Sequence, residues 1–421
     1  MTALVGILNK RAAVMAADSA VTTTNGGKTK IYNSANKIFN LSKAQPMGVM
    51  IYSSTEFMGT PWDVIFNLYR DRKGEKEYKT IKDFVNGFID FLRSEDYFSD
   101  DEDQENYFYR ELRDFYDSVC EEASQRYSAE AGEREERGIQ TDDDKLRAEA
   151  LEGVIKDFIA ATKDDAPNVE FKNYSFESMH QYGSEAFEGL MDLCKEDGMP
   201  DCPKELWERG FYAKILSSDY YPISTGLVFV GYGSDDIYPS LLKVTISGVF
   251  DRRLRYFIDE ENIEIINKKN SASICPFAQT DVMISLMKGV SPYLYNHVYR
   301  SNSSALEEAR QKMIEAARES GATDKLLRKM DEVDLSEIED NFDETVNKFI
   351  RSEYIDGIVD AVDSFNIEEM ANMAESLISV TTLQRHISSE EESVGGPIYV
   401  AVLTRSEGFV WVKHKEWYKT N

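Results

Sequence analysis

Apolar positions in the first fifty residues cluster as they do in strands. Residues 2–9 (TALVGILN) and 12–17 (AAVMAA) are short apolar runs joined by Asn9-Lys10-Arg11, a pattern that predicts a β-hairpin. The polar stretch 22–30, with Gly26-Gly27 inside it, predicts a loop. Two further runs, 37–41 (KIFNL) and 48–52 (GVMIY), predict two more strands. The period then lengthens. Thr60-Pro61-Trp62-Asp63 offers a capping residue with Pro at the first helical position, and Val64, Ile65 and Leu68 follow at helical spacing. From Thr80 onward, Ile81, Phe84, Val85, Phe88 and Leu92 share one stripe and predict a second helix.

Between 94 and 225 the chain turns acidic and helix-favouring, with SDDEDQEN and TDDDK as charged runs, and it reads as a mostly helical insertion. Such runs are more often a solvated face than a binding site. Strand patterns return at 226–233 (GLVFVGYG), 240–250 (SLLKVTISGVF) and 255–258, predicting an antiparallel meander. Residues 280–289 predict a helix, and 304–363 a second, charged helical insertion broken near VDLSE. Residues 367–383 predict an amphipathic helix with Met370, Ala374, Leu377 and Ile378 facing inward. Two strands close the chain, VGGPIYVAVLT and GFVWVKH, separated by a turn at Ser406-Glu407-Gly408. Antiparallel strands segregated from helices predict an α+β fold rather than βαβ units.

Composition narrows the function classes. At 421 residues the chain exceeds one ordinary domain, which fits a core carrying large insertions. A net charge of -28 repels phosphate backbones, so nucleic acid is excluded as the expected partner. No apolar run approaches the roughly 20 residues that cross a bilayer, and no basic segment leads an apolar one at the start. The expectation is a soluble, cytoplasmic protein with no membrane partner. Cys120, Cys194, Cys202 and Cys275 share no CxxC spacing, and His180, His297, His386 and His414 form no HExxH, so no metal site, disulfide framework or cofactor is expected.

Thr2 carries the candidate chemistry. Removal of Met1 would leave one residue with both a nucleophilic hydroxyl and an α-amine, whose ordinary pKa of about 7.7 to 8.0 suits it to act as a base near neutrality. Such a site needs a cation to lower the pKa values of these groups and a carboxylate to hold that cation. Asp18 and Lys37 offer one of each. Taken singly, each has a plain structural explanation: a strand residue near the start, a strand-ending Asp, and a lysine on a strand edge.

The run T-x-x-x-G-I with A-A-D-S after it, then N-K-I-F-N-L and G-V-M-I-Y-S-S, resembles the start of a proteasome β-type subunit. GLVFVGYG with SLLKVTISG resembles the central meander of that family, and IEEMANMAESLI with VGGPIYVAVLT resembles its last helix and the following Gly-Gly strand. The resemblance implies a four-layer αββα sandwich of the N-terminal nucleophile hydrolase type, with residues 1–93, 226–303 and 364–421 as its core. Carried over by position, Thr2 is the nucleophile, Asp18 the carboxylate that orients the base, and Lys37 the lysine that lowers the nucleophile's pKa. The backbone N–H near Tyr52 or Ser53 takes the oxyanion role, where the family usually has small glycines. The family's carboxylate and serine before Gly-Gly fall on Glu391 and on either Ser393 or Val394. Its serine before a Gly, on the loop leading into the third-quarter helix, has no clean counterpart in residues 276–280; Thr280 is the nearest substitute.

The resemblance also implies peptide or protein substrates cleaved through a Thr2 acyl-enzyme, and a homo-oligomeric ring. A separate ATP-dependent unfoldase would have to supply any ATP use, since the chain lacks GxxxxGK[ST]. Two rivals stand beside this reading. One is a catalytically inactive proteasome-like scaffold or interaction protein, and the other is a small-molecule amidase of the same superfamily.

Overall fold

The structure, a computed structural model, describes residues 2–25, 28–33, 35–94, 100–137, 142–163, 168–217, 224–387 and 394–415. Strands β1 (Ala3–Asn9), β2 (Ala13–Ala17), β3 (Ala20–Asn25), β4 (Lys28–Asn33), β5 (Ile38–Asn40) and β6 (Met47–Ser53) come first. The two-residue pairings β7 (Glu56–Phe57) and β8 (Thr60–Pro61) follow, then helices α1 (Trp62–Lys73) and α2 (Ile81–Ser94). Five helices come next: α3 (Asp101–Glu136), α4 (Asp143–Ala161), α5 (Phe176–Tyr182), α6 (Ser184–Glu196) and α7 (Lys204–Leu216). Strands β9 (Thr225–Gly231), β10 (Ser240–Phe250) and β11 (Arg253–Ile258) form the meander, followed by β12 (Glu264–Ile265) and β13 (Ala272–Ala278). Helices α8 (Asp281–Lys288), α9 (Pro292–Glu319), α10 (Asp324–Asp331), α11 (Ser336–Ile350), α12 (Asp356–Ser364) and α13 (Ile367–Ile387) lead to β14 (Tyr399–Thr404) and β15 (Gly408–Lys413). The protein is α+β with antiparallel sheets.

One sheet runs β13-β1-β2-β14-β15, and the other runs β11-β10-β9-β6-β5 with β12 paired to β10. Successive residues of a strand point to opposite faces, so a strand covered on both sides must be apolar throughout. This is why β1 is buried at all seven positions and reads as a run rather than an alternation. One face of each sheet meets the other sheet through Leu4, Leu8, Met15 and Ala17 against Met50, Val228, Val230 and Leu241. On the opposite face of the first sheet, Val5, Ile7, Val14 and Ala16 pack with Met370, Ala374, Leu377 and Ile378 of α13. The opposite face of the second carries Val49, Ile51, Phe229 and Val244 against Trp62, Phe66, Phe84 and Phe88 of α1 and α2. Each fully buried side chain of this size contributes about 1.5–3 kcal/mol.

Three expectations are corrected. Residues 22–25 and 28–30 are strand rather than loop: β3 and β4 pair in register, Thr22 opposite Ile31 and Thr24 opposite Thr29, while Gly26-Gly27 lies outside the described residues. The β-branched run Val21-Thr22-Thr23-Thr24 favours extended backbone, and its polarity concealed that. Thr60 does not cap α1. Pro61 occupies the N-cap with φ -59 and ψ 136, while Thr60–Pro61 pairs with Glu56–Phe57. The charged helices begin at Pro292, not 304, because Ser291 caps α9 by accepting from Leu294 N–H with Pro in the first turn. The break near VDLSE stands, between α10 and α11.

Helices α3 to α7 gather a hydrophobic cluster of their own, built on Phe108, Phe115, Trp207 and Phe211. Phe250, at the end of β10, is a member of that cluster, and Met58 packs against both it and the α1–α2 cluster. The β10 side of this junction leaves no spare room: a Cβ on Gly248 would lie 2.7 Å from the Tyr107 ring.

Candidate functional site

The site is assembled where β1, β2, β5 and the lead into β14 converge. Asp18 follows β2 directly and is fully buried. Its backbone N–H donates to Ala3 O at 3.2 Å, so the end of the β1–β2 ladder fixes its position. Burying a carboxylate is tolerated only when its oxygens are bonded. Asp18 Oδ1 accepts from Ala3 N–H at 2.9 Å and from Lys37 Nζ at 2.8 Å. Its Oδ2 accepts from Ala20 N–H at 3.1 Å and Gly395 N–H at 3.2 Å.

Lys37 immediately precedes β5 rather than opening it, and its carbonyl accepts from Ile51 N–H of β6 at 2.9 Å. Its ammonium donates to Ala20 O at 2.6 Å as well as to Asp18. Burial pushes the lysine pKa below its ordinary value, and the neighbouring Asp18 charge opposes that shift without cancelling it.

Thr2 is buried, at 8% exposure, and lines a cavity of about 230 Å³ with Lys37, Val21, Ile51, Tyr52, Ser53, Ser54 and Thr55. The wall turns sharply at Ser53, whose φ of 72 lies in the left-handed region. The Tyr52 ring lies across Gly226 on the paired strand, where a Cβ would come within 2.0 Å of its Cζ, so only glycine fits opposite. Burial, with a contribution from the Asp259 charge, pushes the Tyr52 phenol pKa up.

The structure therefore brings four of the expected residues together around one cavity, Thr2, Lys37, Tyr52 and Ser53, with Asp18 bonded directly to Lys37. Glu391 and Ser393 lie outside the described residues. Val394 is buried beside α13, and its neighbour Gly395 is the residue that reaches Asp18. Thr280 stands at the N-cap of α8 and makes no capping bond with its side chain. The residue before it does the contacting: Gln279 N–H donates to Thr2 O at 3.1 Å. Gln279 was not singled out from the sequence, and nothing in its local pattern marks it. Cys275 is a bystander, its thiol near Ser273 and its pKa pushed up to about 12 by burial.

Among the described residues no group of His, Cys, Asp and Glu is placed to hold a metal ion, and no helix is long and apolar enough to cross a membrane. No protein-family model and no curated protein matches the chain.

Proposed function

We propose that this chain is an N-terminal threonine hydrolase of the proteasome β type that cleaves peptide bonds. The observation that carries the reading is the placement of Thr2 in a cavity with Lys37, whose ammonium is held 2.8 Å from the buried Asp18 carboxylate. Two facing antiparallel sheets with helices over both outer faces support the αββα architecture of the N-terminal nucleophile hydrolases.

With Met1 removed, Thr2 Oγ attacks the substrate carbonyl carbon and its proton passes to the α-amine of the same residue. Backbone N–H groups at Tyr52 or Ser53 receive the negative charge that develops on the attacked oxygen. The α-ammonium returns its proton to the departing amine as the C–N bond breaks. Water then hydrolyses the acyl ester and frees the hydroxyl. Lys37, charged beside Asp18, stabilises negative charge developing near Oγ. Assembly into a homo-oligomeric ring, supplied by a separate unfoldase, belongs to the same proposal.

Intact-mass measurement with a peptidyl epoxyketone tests it, because that warhead bonds to both a threonine hydroxyl and a free α-amine. A chain lacking Met1 and carrying one adduct at Thr2, absent from Thr2→Ala, is the expected result. A chain that retains Met1 and takes no adduct overturns it.

A further inference from the structure

The peptide unit joining Thr2 to Ala3 is held at both of its polar atoms. Its C=O accepts from Gln279 N–H, and its N–H donates to Asp18 Oδ1. With that plane fixed, the α-amine and hydroxyl of Thr2 can be redirected only by rotation about the Cα–C and Cα–Cβ bonds. Asp18 is one of the two clamps. The other depends on how Gln279 is itself held.

Gln279 follows Ala278, which sits at φ 65 at the end of β13, opposite Ala3. A non-glycine residue in the left-handed region is costly and persists only where its surroundings impose it. The residue after Ala278 continues the pairing with β1, Gln279 N–H donating to Thr2 O. The Gln279 side chain, nearly buried, accepts from Arg385 Nε at 2.5 Å. Arg385 belongs to the last turn of α13, its side chain is 11% exposed, and it also bonds Asp281 of α8. A charged donor in a site shielded from water makes a hydrogen bond about twice as strong as a neutral one.

We infer that Arg385 and Gln279 form a positioning pair that sets the orientation of the nucleophile, a role that rests on the threonine-hydrolase reading. Arg385 reaches Thr2 through Gln279 rather than touching it, so it is a positioning residue and not a catalytic one. Gln279, braced by a helix residue 106 positions further along, is thus the residue before α8 that bonds Thr2.

The test compares Arg385→Met and Gln279→Leu with Arg385→Lys and Gln279→Glu, using a peptidyl epoxyketone and reading adduct formation at Thr2 by intact mass. The first two variants are expected to lower the limiting rate of adduct formation by roughly tenfold or more while the half-saturating concentration stays put. The conservative pair, which preserves a donor or an acceptor at the contact, is expected to recover most of that rate. Hydrogen exchange of the N-terminal peptide gives a readout that does not need activity: Arg385→Met is expected to speed exchange over residues 3–9. A folded Arg385→Met that labels at the wild-type rate overturns the inference, as does unchanged exchange at the N-terminus. Wild-type protein that takes no adduct defeats the hydrolase reading instead, and the exchange result then decides the pair by itself.

Discussion

Lys37 Nζ stands 2.8 Å from Asp18 Oδ1 with 3% of the lysine side chain and none of the aspartate exposed. A pair this deep is held by the completeness of its bonding, because desolvation of each ion costs several kcal/mol. Asp18 meets that requirement with four donors.

Removing one partner should therefore be worse than removing both. Lys37→Met leaves an uncompensated carboxylate and is expected to destabilise the protein by about 3–5 kcal/mol, whereas Asp18→Asn with Lys37→Met recovers a large part of that loss. Urea denaturation of the two single variants and the double variant measures the coupling. Additive losses would show that the two side chains do not form a unit.

The depressed pKa of Lys37 has a definite sign in stability. Between its lowered native value and the ordinary 10.5, the folded protein has released a proton that the unfolded chain still binds. Stability then rises with pH across that window, since the unfolded state holds more protons. Wild type should gain on Lys37→Met as pH climbs through that window toward 10.5. A difference that stays constant over that range would mean the lysine titrates as in water.

The fit of Tyr52 over Gly226 predicts a rescue. Gly226→Ala places a methyl 2.0 Å from the Tyr52 ring and should cost about 1–3 kcal/mol by overpacking. Adding Tyr52→Ala removes the clash and should return part of the stability while enlarging the cavity beside Thr2. Thermal melts of the single and double variants decide this, and equal melting temperatures for Gly226→Ala and wild type would overturn it.

Phe250 links the β10–β11 hairpin to the helical cluster of α3–α7. Phe250→Ala is expected to cost about 3–5 kcal/mol. The loss should appear first as faster hydrogen exchange in α3 and α7, while β1, β2 and β6 keep their protection. Uniform loosening of both regions would show that they unfold as one unit.

Much of the framework was legible in the order of residues. The β1–β2 hairpin, the β9–β11 meander and the inward stripe of α13 announce themselves, because their apolar positions repeat at the period of the element and burial enforces that period. The strands β3 and β4 are hidden in the sequence, since β-branched threonines support a strand without supplying the apolar alternation that usually reveals one. Thr2, Asp18 and Lys37 are each unremarkable alone; the chemistry of a nucleophile with its own amine pointed to them, and the resemblance gave them their places. Gln279 and Arg385 stayed invisible for a geometric reason. Their meeting depends on Ala278 adopting a conformation that no glycine advertised, and on the last turn of α13 arriving above the end of β13.

The four donors that surround Asp18 belong to residues 3, 20, 37 and 395. β2, which leads into Asp18, has β1 on one side and β14 on the other. A chain still emerging from the ribosome can pair β1 with β2, yet it has neither the strand that completes the sheet nor the amide that completes the carboxylate's bonding. The finished site thus joins the first forty residues to position 395 and arises only after that stretch and β14 have been made. A half-made copy of this protein would carry the threonine without the surroundings that give it chemical use.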